Sequence, residues 1–540
     1  MSKVKRRPNP AKVAEKQASP RKLDPSLLGR VETAVNSKPH LHGDNDKTWY
    51  TRLQRLAEDS ASLSYSVIPG ITRRIHAPRG TTVSDLNVAG IMQLGFQPTI
   101  GRAADANSPI NVTAKALYAY IRSNISGSRN YEPNDVIIYD LALDSAFYLW
   151  TAATRAYGLL NRWSVFNRYT PDVLVEACGF NAVELRGNMP RFRSIINTFA
   201  AKLSALSIPA SMSYNTRHAW MCANVFLDAS SPKAQYYVYK PTGYYVYNEA
   251  TDHGSELVYK NLPAILGIDD LDNVFNEIIN ALLGSEDIGT ISGDIYRAFG
   301  GPNVFQMSQI PEDYDCIPRH SWEVLSQIEN ADILLGAVPG TIVQRNGINE
   351  GYITQRVTTN LQQLYINGAP GGLYADKRVF GLDKILNMHI DNPDYADNLV
   401  ATRLMVGISN IPEIIAGQTG DNTTLDIDIL GSEIIVHGRI FILGDTELGN
   451  YNIATSMCVP NQVTVGQALS YLQDWMSFDW APKIYMSGDT SEMADAVSQH
   501  FERPMFDYDN YTTFDLETLK GMHEAAMLSL FYVDLPNFQV

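Results

Sequence analysis

An α+β fold, mainly α-helical, follows from three features of the sequence. Between Asp105 and Trp163 lie two helix patterns with start signals, the second of them apolar almost all round. Tyr236–Tyr247 places two tyrosine- and valine-rich arms on either side of Pro241-Thr242-Gly243, which predicts a β-hairpin. Residues 330–450 mix short strand patterns with Gly/Pro/Asn-rich loops, marking a separate domain or an outward insertion. With 540 residues, the chain exceeds what one core usually serves, and two or three domains are expected.

Taken in order, residues 1–22 carry Pro8, Pro10 and Pro20, no aromatics and few aliphatics, so they cannot bury enough to order themselves. Asp24-Pro25 then offers an N-cap and a first-turn proline for a short helix carrying Leu27, Leu28, Val31 and Val35. Such a helix is marginal alone and suits docking on a neighbouring subunit or on a membrane surface equally well. Residues 37–47 are loop-like, folded structure is expected from about Trp49, and residues 65–104 read as irregular, punctuated by Pro69, Pro78, Gly80 and Pro98.

Ser108 fits an N-cap and Pro109 the first helical position, where its missing N–H costs nothing; Ala114, Leu117, Tyr118 and Ile121 follow at helical spacing. A second helix is expected from near Asn134. From Val136 to Trp150 only Asp140, Asp144 and Ser145 are polar, and the pattern resumes with Tyr157, Leu160 and Trp163. A helix of about thirty residues is roughly 45 Å long, and one so apolar belongs in the middle of something large. Its two aspartates and limited apolar run argue against a membrane span. Further helices are expected over Pro171–Cys178 and Met189–Leu206, in pieces over 254–300, and over Val465–Trp475 and Leu516–Tyr532. Short strands are expected at Gly340–Val343, Asp426–Leu430, Glu433–Val436 and Arg439–Leu443.

Charge is unevenly spread. Residues 1–30 hold nine basic residues (Lys3, Lys5, Arg6, Arg7, Lys12, Lys16, Arg21, Lys22, Arg30) against Glu15 and Asp24, a surplus of seven. The other 34 basic and 56 acidic residues sum to −22, within a total of −15. A basic arm on an acidic body points to a polyanion partner, RNA or DNA, held through phosphates in a salt-dependent way; a solvated tail, or a nuclear import signal in Lys3–Arg7, is the bland alternative. The four cysteines never form CxxC and are read as buried thiols in a reducing compartment. No secretory signal, transmembrane run or lipidation motif is visible, so the sequons at Asn111, Asn124, Asn422 and Asn510 are expected to be chance.

Catalytic signatures fail in turn. There is no Gly-Lys-Ser/Thr, GxGxxG, HExxH, GxSxG or Gly-Asp-Asp. Asp140 and Asp144, one helical turn apart, are too few for a metal site; His40, His42, Asp44 and Asp46 lack a closing ligand. Nothing fixes the geometry of Asp313, Asp315, Cys316 and His320 as a nucleophile with a base, and His218 reads as a core histidine. The tyrosine-rich arms read as cross-strand aromatic pairs rather than as a nucleotide-stacking platform. No catalytic, metal or cofactor residues are assigned. Weight shifts to a structural or binding role.

Pro98-Thr99-Ile100-Gly101, then Asp105-Ala106-Asn107-Ser108-Pro109-Ile110-Asn111-Val112, resembles the capsid proteins of picobirnaviruses, which are double-stranded RNA viruses. The Tyr118–Arg122 helix, the Ser126–Tyr131 loop and Asp144, Tyr148 and Tyr157-Gly158 follow in matching order, with the clearest agreement over 86–250. The resemblance implies a helical shell domain with an inserted strand- and loop-rich protruding domain, and a dimer with exchanged segments. On this basis 1–45 is the arm, 46–235 and 450–540 the shell, and 236–449 the protruding domain. About sixty such dimers would close an icosahedral virion around the genome, assembled in the host cytoplasm. The nine basic arm residues would contact RNA inside, without reading bases. Relatives can self-cleave part of the N-terminal segment and perturb membranes on entry; no motif here fixes a scissile bond. An RNA-coating nucleoprotein in open assemblies, or an enzyme with an unrecognised site, remain the alternatives.

Overall fold

The computed structural model describes residues 51–62, 71–75, 84–88, 90–162, 170–229, 234–250, 254–334, 337–346, 350–360, 383–409, 424–444, 452–457, 475–482, 484–489, 500–505 and 510–535. The basic arm with its nine candidate residues, the helix expected over Leu27–Val35, the His40–Asp46 loop, Trp49, Trp163 and nearly all of the helix expected over Val465–Trp475 lie outside these. The chain divides into two units, 1–67 and 68–540. In the first, α1 (Gln54–Ala61) buries no residue and leaves Leu53 and Leu56 exposed.

The second unit contains the strands β1 (Ile71–Ile75) and β2 (Ser84–Val88), an antiparallel pair, followed by β3 (Ile91–Pro98). Most of the described residues in the stretch expected to be irregular are therefore strand. Every residue of β3 is buried. The buried Gln93 is accommodated by donating from Nε2 to the Ala177 carbonyl at 2.6 Å.

The helices come next: α2 (Pro109–Asn124), α3 (Pro133–Asn161), α4 (Thr170–Ala177), α5 (Ala182–Gly187), α6 (Met189–Leu203) and α7 (Ser213–Ala223). Ser108 does sit at the N-cap of α2, but its hydroxyl turns back to accept from the N–H groups of Ala104 and Asp105 rather than from the helix. In α3, 25 of 29 residues are buried, and the helix packs against α2, α4, α6 and α7. By length and hydropathy alone α3 could cross a membrane; 89% of that stretch is buried in protein, which makes it a core helix.

The chain then forms β4 (Phe226–Leu227), β5 (Tyr236–Pro241), β6 (Gly243–Ala250) and β7 (Gly254–Asn261). The hairpin expected between the two tyrosine-rich arms does not form. β5 runs parallel to β3, while β6 pairs antiparallel with β7. Thr242 turns the chain from one sheet to the next, its N–H bonding to the Phe96 carbonyl at 3.0 Å. Both arms are strands, but each pairs with a partner other than the neighbouring arm. Helices α8 (Ile268–Leu283) and α9 (Glu286–Phe299) follow, so the 254–300 region opens with a strand before turning helical.

Beyond these lie β8 (Arg319–His320), α10 (Trp322–Glu329), the short strands β9 (Val338–Pro339), β10 (Val343–Arg345), β11 (Tyr352–Thr354) and β12 (Val357–Asn360), then β13 (Lys384–Met388), α11 (Tyr395–Ala401) and β14 (Thr424–Asp426). β15 (Glu433–Gly444) unites the two strands expected over 433–443, with a bulge between Ile435 and His437. β16 (Asn452–Met457), β17 (Ile484–Asp489), β18 (His500–Met505), β19 (Asn510–Phe514) and α12 (Leu516–Leu530) complete the described elements.

One sheet ties distant segments together, in the order β16-β15-β3-β5-β4-β8. A parallel pair such as β3 and β5 needs a crossover connection, and here that connection carries α2 to α7. The largest core cluster spans this sheet and the helices around α3, reaching residues 244–328. Two smaller clusters draw on 334–436 and on 386–519. At the bulge the His437 ring lies against Gly95, where a Cβ would overlap it. Only glycine fits there.

Candidate functional site

An apolar helix with two aspartates must find them partners, because an unpaired buried charge is costly. α3 does so against α7. Asp140 accepts from Asn215 Nδ2 at 2.9 Å, and one turn on, His218 donates from Nδ1 to Asp144 at 2.8 Å. The other nitrogen of the His218 ring, Nε2, looks to Glu433 at the start of β15, 3.6 Å away. Arg217 donates to the same carboxylate from Nε at 2.9 Å and from its terminal nitrogen, which also reaches Gln327 at 3.3 Å. Ser432 donates its hydroxyl to Glu433 as well. Asp140, Asp144, His218 and Glu433 are all buried.

The charges follow from this geometry. Burial alone would lower the His218 pKa, but the Asp144 and Glu433 carboxylates outweigh it and raise it to about 9. Burial would raise Glu433, yet Arg217 and His218 hold its carboxyl well below the usual carboxylate range. Burial raises the Asp144 pKa, and the facing imidazolium works against that rise. Asp140 has only Asn215 to set against burial and the Asp144 charge, and its pKa is raised to about 7. The network thus alternates sign from Asp144 through His218 and Glu433 to Arg217.

Arg155, further along α3, is fully buried and donates to the carbonyls of Asn224 at 3.0 Å and Tyr239 at 2.9 Å, joining α3 to β5. A second buried pair, Lys384 and Asp332 at 3.0 Å, joins β13 to the segment after α10, and Asp332 also accepts from the Val406 N–H. Each group that could do acid–base chemistry in these networks is sealed from solvent and engaged in holding elements together.

The other candidates separate. Cys316 is buried, bonds to the Ala223 carbonyl at 3.6 Å, and its thiol is pushed up to about 12 by burial, which disfavours the thiolate. Asp315 pairs with Arg162 at 2.8 Å, and His320 bonds to the Leu227 carbonyl at 2.9 Å. They form no Cys–His pair. Cys178 and Cys222 are likewise free, buried thiols, as expected; Cys458 lies outside the described residues. Asn111 is buried, with its amide exchanging hydrogen bonds with the Ile353 backbone at 2.8 and 3.0 Å, which leaves no room for a glycan. Among the described residues no group of three metal-ligating side chains comes together. An open groove of about 740 Å³ along α6 is lined by Arg193, Asn197, Lys202 and Ile310, with Asn197 engaged in bonds to the Ile310 backbone.

The sequence flagged Asp140, Asp144 and His218 but missed Asn215 and Glu433. Asn215 precedes His218 by three residues on one helix, a spacing that could have matched the Asp140–Asp144 turn. Glu433 gave a weaker signal, a single acid heading the apolar run Ile434-Ile435-Val436.

With this architecture established, comparison with known proteins gives one consistent result. The family model for the picobirnavirus capsid protein matches residues 49–465. A capsid protein precursor of Human picobirnavirus (strain Human/Thailand/Hy005102/-) is 26% identical over 522 residues, covering 92% of each chain. The crystallographic structure of the picobirnavirus capsid superposes with a TM-score of 0.76 at 23% identity, over 92% of this chain and 100% of that one. The α+β fold, the sealed charge networks and the match over most of the length agree: the chain belongs to the picobirnavirus capsid protein family, a structural component of the virion that associates with itself.

Proposed function

We propose that this capsid protein dimerises with exchanged segments, and that about sixty dimers close an icosahedral shell around a double-stranded RNA genome. The observation that carries the RNA part is the charge asymmetry, a surplus of seven in residues 1–30 against −22 in the rest. The arm, 1–45, contacts RNA through Lys3, Lys5, Arg6, Arg7, Lys12, Lys16, Arg21, Lys22 and Arg30. One such arm binds weakly and reversibly at physiological salt. Many arms inside a closed shell raise the effective concentration, so packaging needs no tight single site. The acidic body repels RNA from other surfaces.

The shell is built from 46–235 and 450–540, and the protruding domain comes from within 236–449. Residues 244–328 contribute to the principal core, as do Ala331, Ile333, Ile342, Ile353 and Leu404, while the two smaller clusters draw on 334–436 and on 386–519. Assembly takes place in the host cytoplasm. Removal of part of the N-terminal segment and a transient membrane contact on entry fit the reading; the relative's designation as a precursor supports processing. Electron microscopy of the purified chain tests the proposal. Closed particles are expected, whereas open helical assemblies coated along RNA would favour a nucleoprotein, and the absence of any assembly across salt and pH would reject the shell.

A further inference from the structure

The outward face of α12 carries no charge. Its inward stripe, Leu519, His523, Met527 and Phe531, is buried at four-residue spacing. On the opposite side, at about 100° per residue, fall Thr518, Gly521, Ala525, Leu528, Ser529 and Tyr532, all exposed. Leu528 is 43% and Tyr532 59% accessible. Glu517, Lys520 and Glu524 keep to one flank, where Lys520 pairs with Glu517 at 3.2 Å. Single exposed apolar residues are ordinary. A solvent-facing helix surface without a charge over four turns is not, since such faces normally hold the polar and charged residues. The strand leading into it, β19, is also uncharged, and Asn510 to Thr513 are exposed, with none of the lysines or prolines that usually blunt an edge.

We propose that this face meets the same face of a second copy of the chain across a two-fold axis. The proposal rests on the self-association reading above and names one contact within it. The face suits a copy of itself because an isologous contact brings each residue near its own equivalent, and an uncharged face can do so without like-charge repulsion. RNA is a poor occupant, as no lysine or arginine projects from the face to neutralise phosphate. Gly521 and Ala525 at its centre let two helices approach closely, flanked by Leu528 and Tyr532. A single helix face buries less than the roughly 1,200 Å² of a stable pair, so the contact is weak alone and counts through repetition in the shell.

The test uses the full-length chain. In Ala525→Cys particles, mild oxidation is expected to link chains in pairs on a non-reducing gel, since position 525 lies nearest the proposed axis. The wild-type chain oxidised in parallel gives the background from its own thiols. Ala525→Glu is expected to lower particle yield by about tenfold or more, with thermal unfolding unchanged. Wild-type yield from Ala525→Glu, or Ala525→Cys particles that do not cross-link above background, overturns the proposal. If Ala525→Glu unfolds early, the cysteine variant alone decides. A wild-type chain that forms no particles counts against the shell itself, and the cross-linking of Ala525→Cys in solution then judges the face separately.

Discussion

His218 and Asp144 meet 2.8 Å apart between α7 and α3, with the imidazole and the carboxylate both out of reach of solvent. Glu433 stands on the far side of the ring, so the contact joins three stretches of chain that are far apart in sequence. Replacing one member leaves an uncompensated charge in the core. Asp144→Ala and Glu433→Gln should each cost about 3–5 kcal/mol. Urea unfolding of the purified variants measures this; losses under about 1 kcal/mol for both would mean that the network does not hold the core together.

Asp140 gives a pH dependence of definite sign. Its folded pKa is raised, so the folded state binds the proton more tightly, and stability falls as pH rises from about 4 to about 7, then levels off. The shift from 3.8 to about 7 corresponds to roughly 4 kcal/mol. Asp140→Asn keeps an acceptor for Asn215 and carries no charge. Its melting temperature should match wild type near pH 4 and exceed it increasingly towards pH 7.5. A constant difference across that range would contradict the assignment. His218 contributes in the same direction: its stabilisation is complete below pH 6.5 and is lost as pH rises through about 9.

Gly95 and His437 form a close approach that can be tested as a pair. Gly95→Ala should destabilise by about 1–3 kcal/mol through the clash with the ring. Truncating the ring by His437→Ala should recover part of the loss in the double variant, read as a coupling energy in a mutant cycle. Additive effects would show that the ring is not what excludes a side chain.

The helical half of this molecule was legible because its signals are local. Ser108-Pro109 marks the start of α2, and the apolar run from Val136 sets α3 near its observed bounds. The aspartates of α3 announced buried partners without naming them, since Glu433 lies nearly three hundred residues away. The sheet was harder to read. β3 has a glutamine, Gln93, and a glycine, Gly95, whose places are fixed by Ala177 and His437, and β5 pairs with β3 rather than with its neighbour β6. Such pairings depend on contacts that no window of sequence contains. The RNA-binding residues rest on charge alone, and they lie outside the described residues.

Deleting residues 1–35 should leave shell closure and thermal stability largely unchanged and reduce packaged RNA, because an arm rich in lysine and proline adds little to a core. The ratio of absorbance at nucleic-acid and protein wavelengths in purified particles measures this. An unchanged ratio would assign RNA packaging to another surface.

The most direct test of the shell is the mass of the assembled particle. About sixty dimers of a 60.0 kDa chain weigh about 7 MDa before RNA is counted. Mass measurement on particles of the full-length chain, emptied of RNA, should give one narrow peak near that value. Species no larger than dimers, or a continuous spread of masses typical of open filaments, would contradict it.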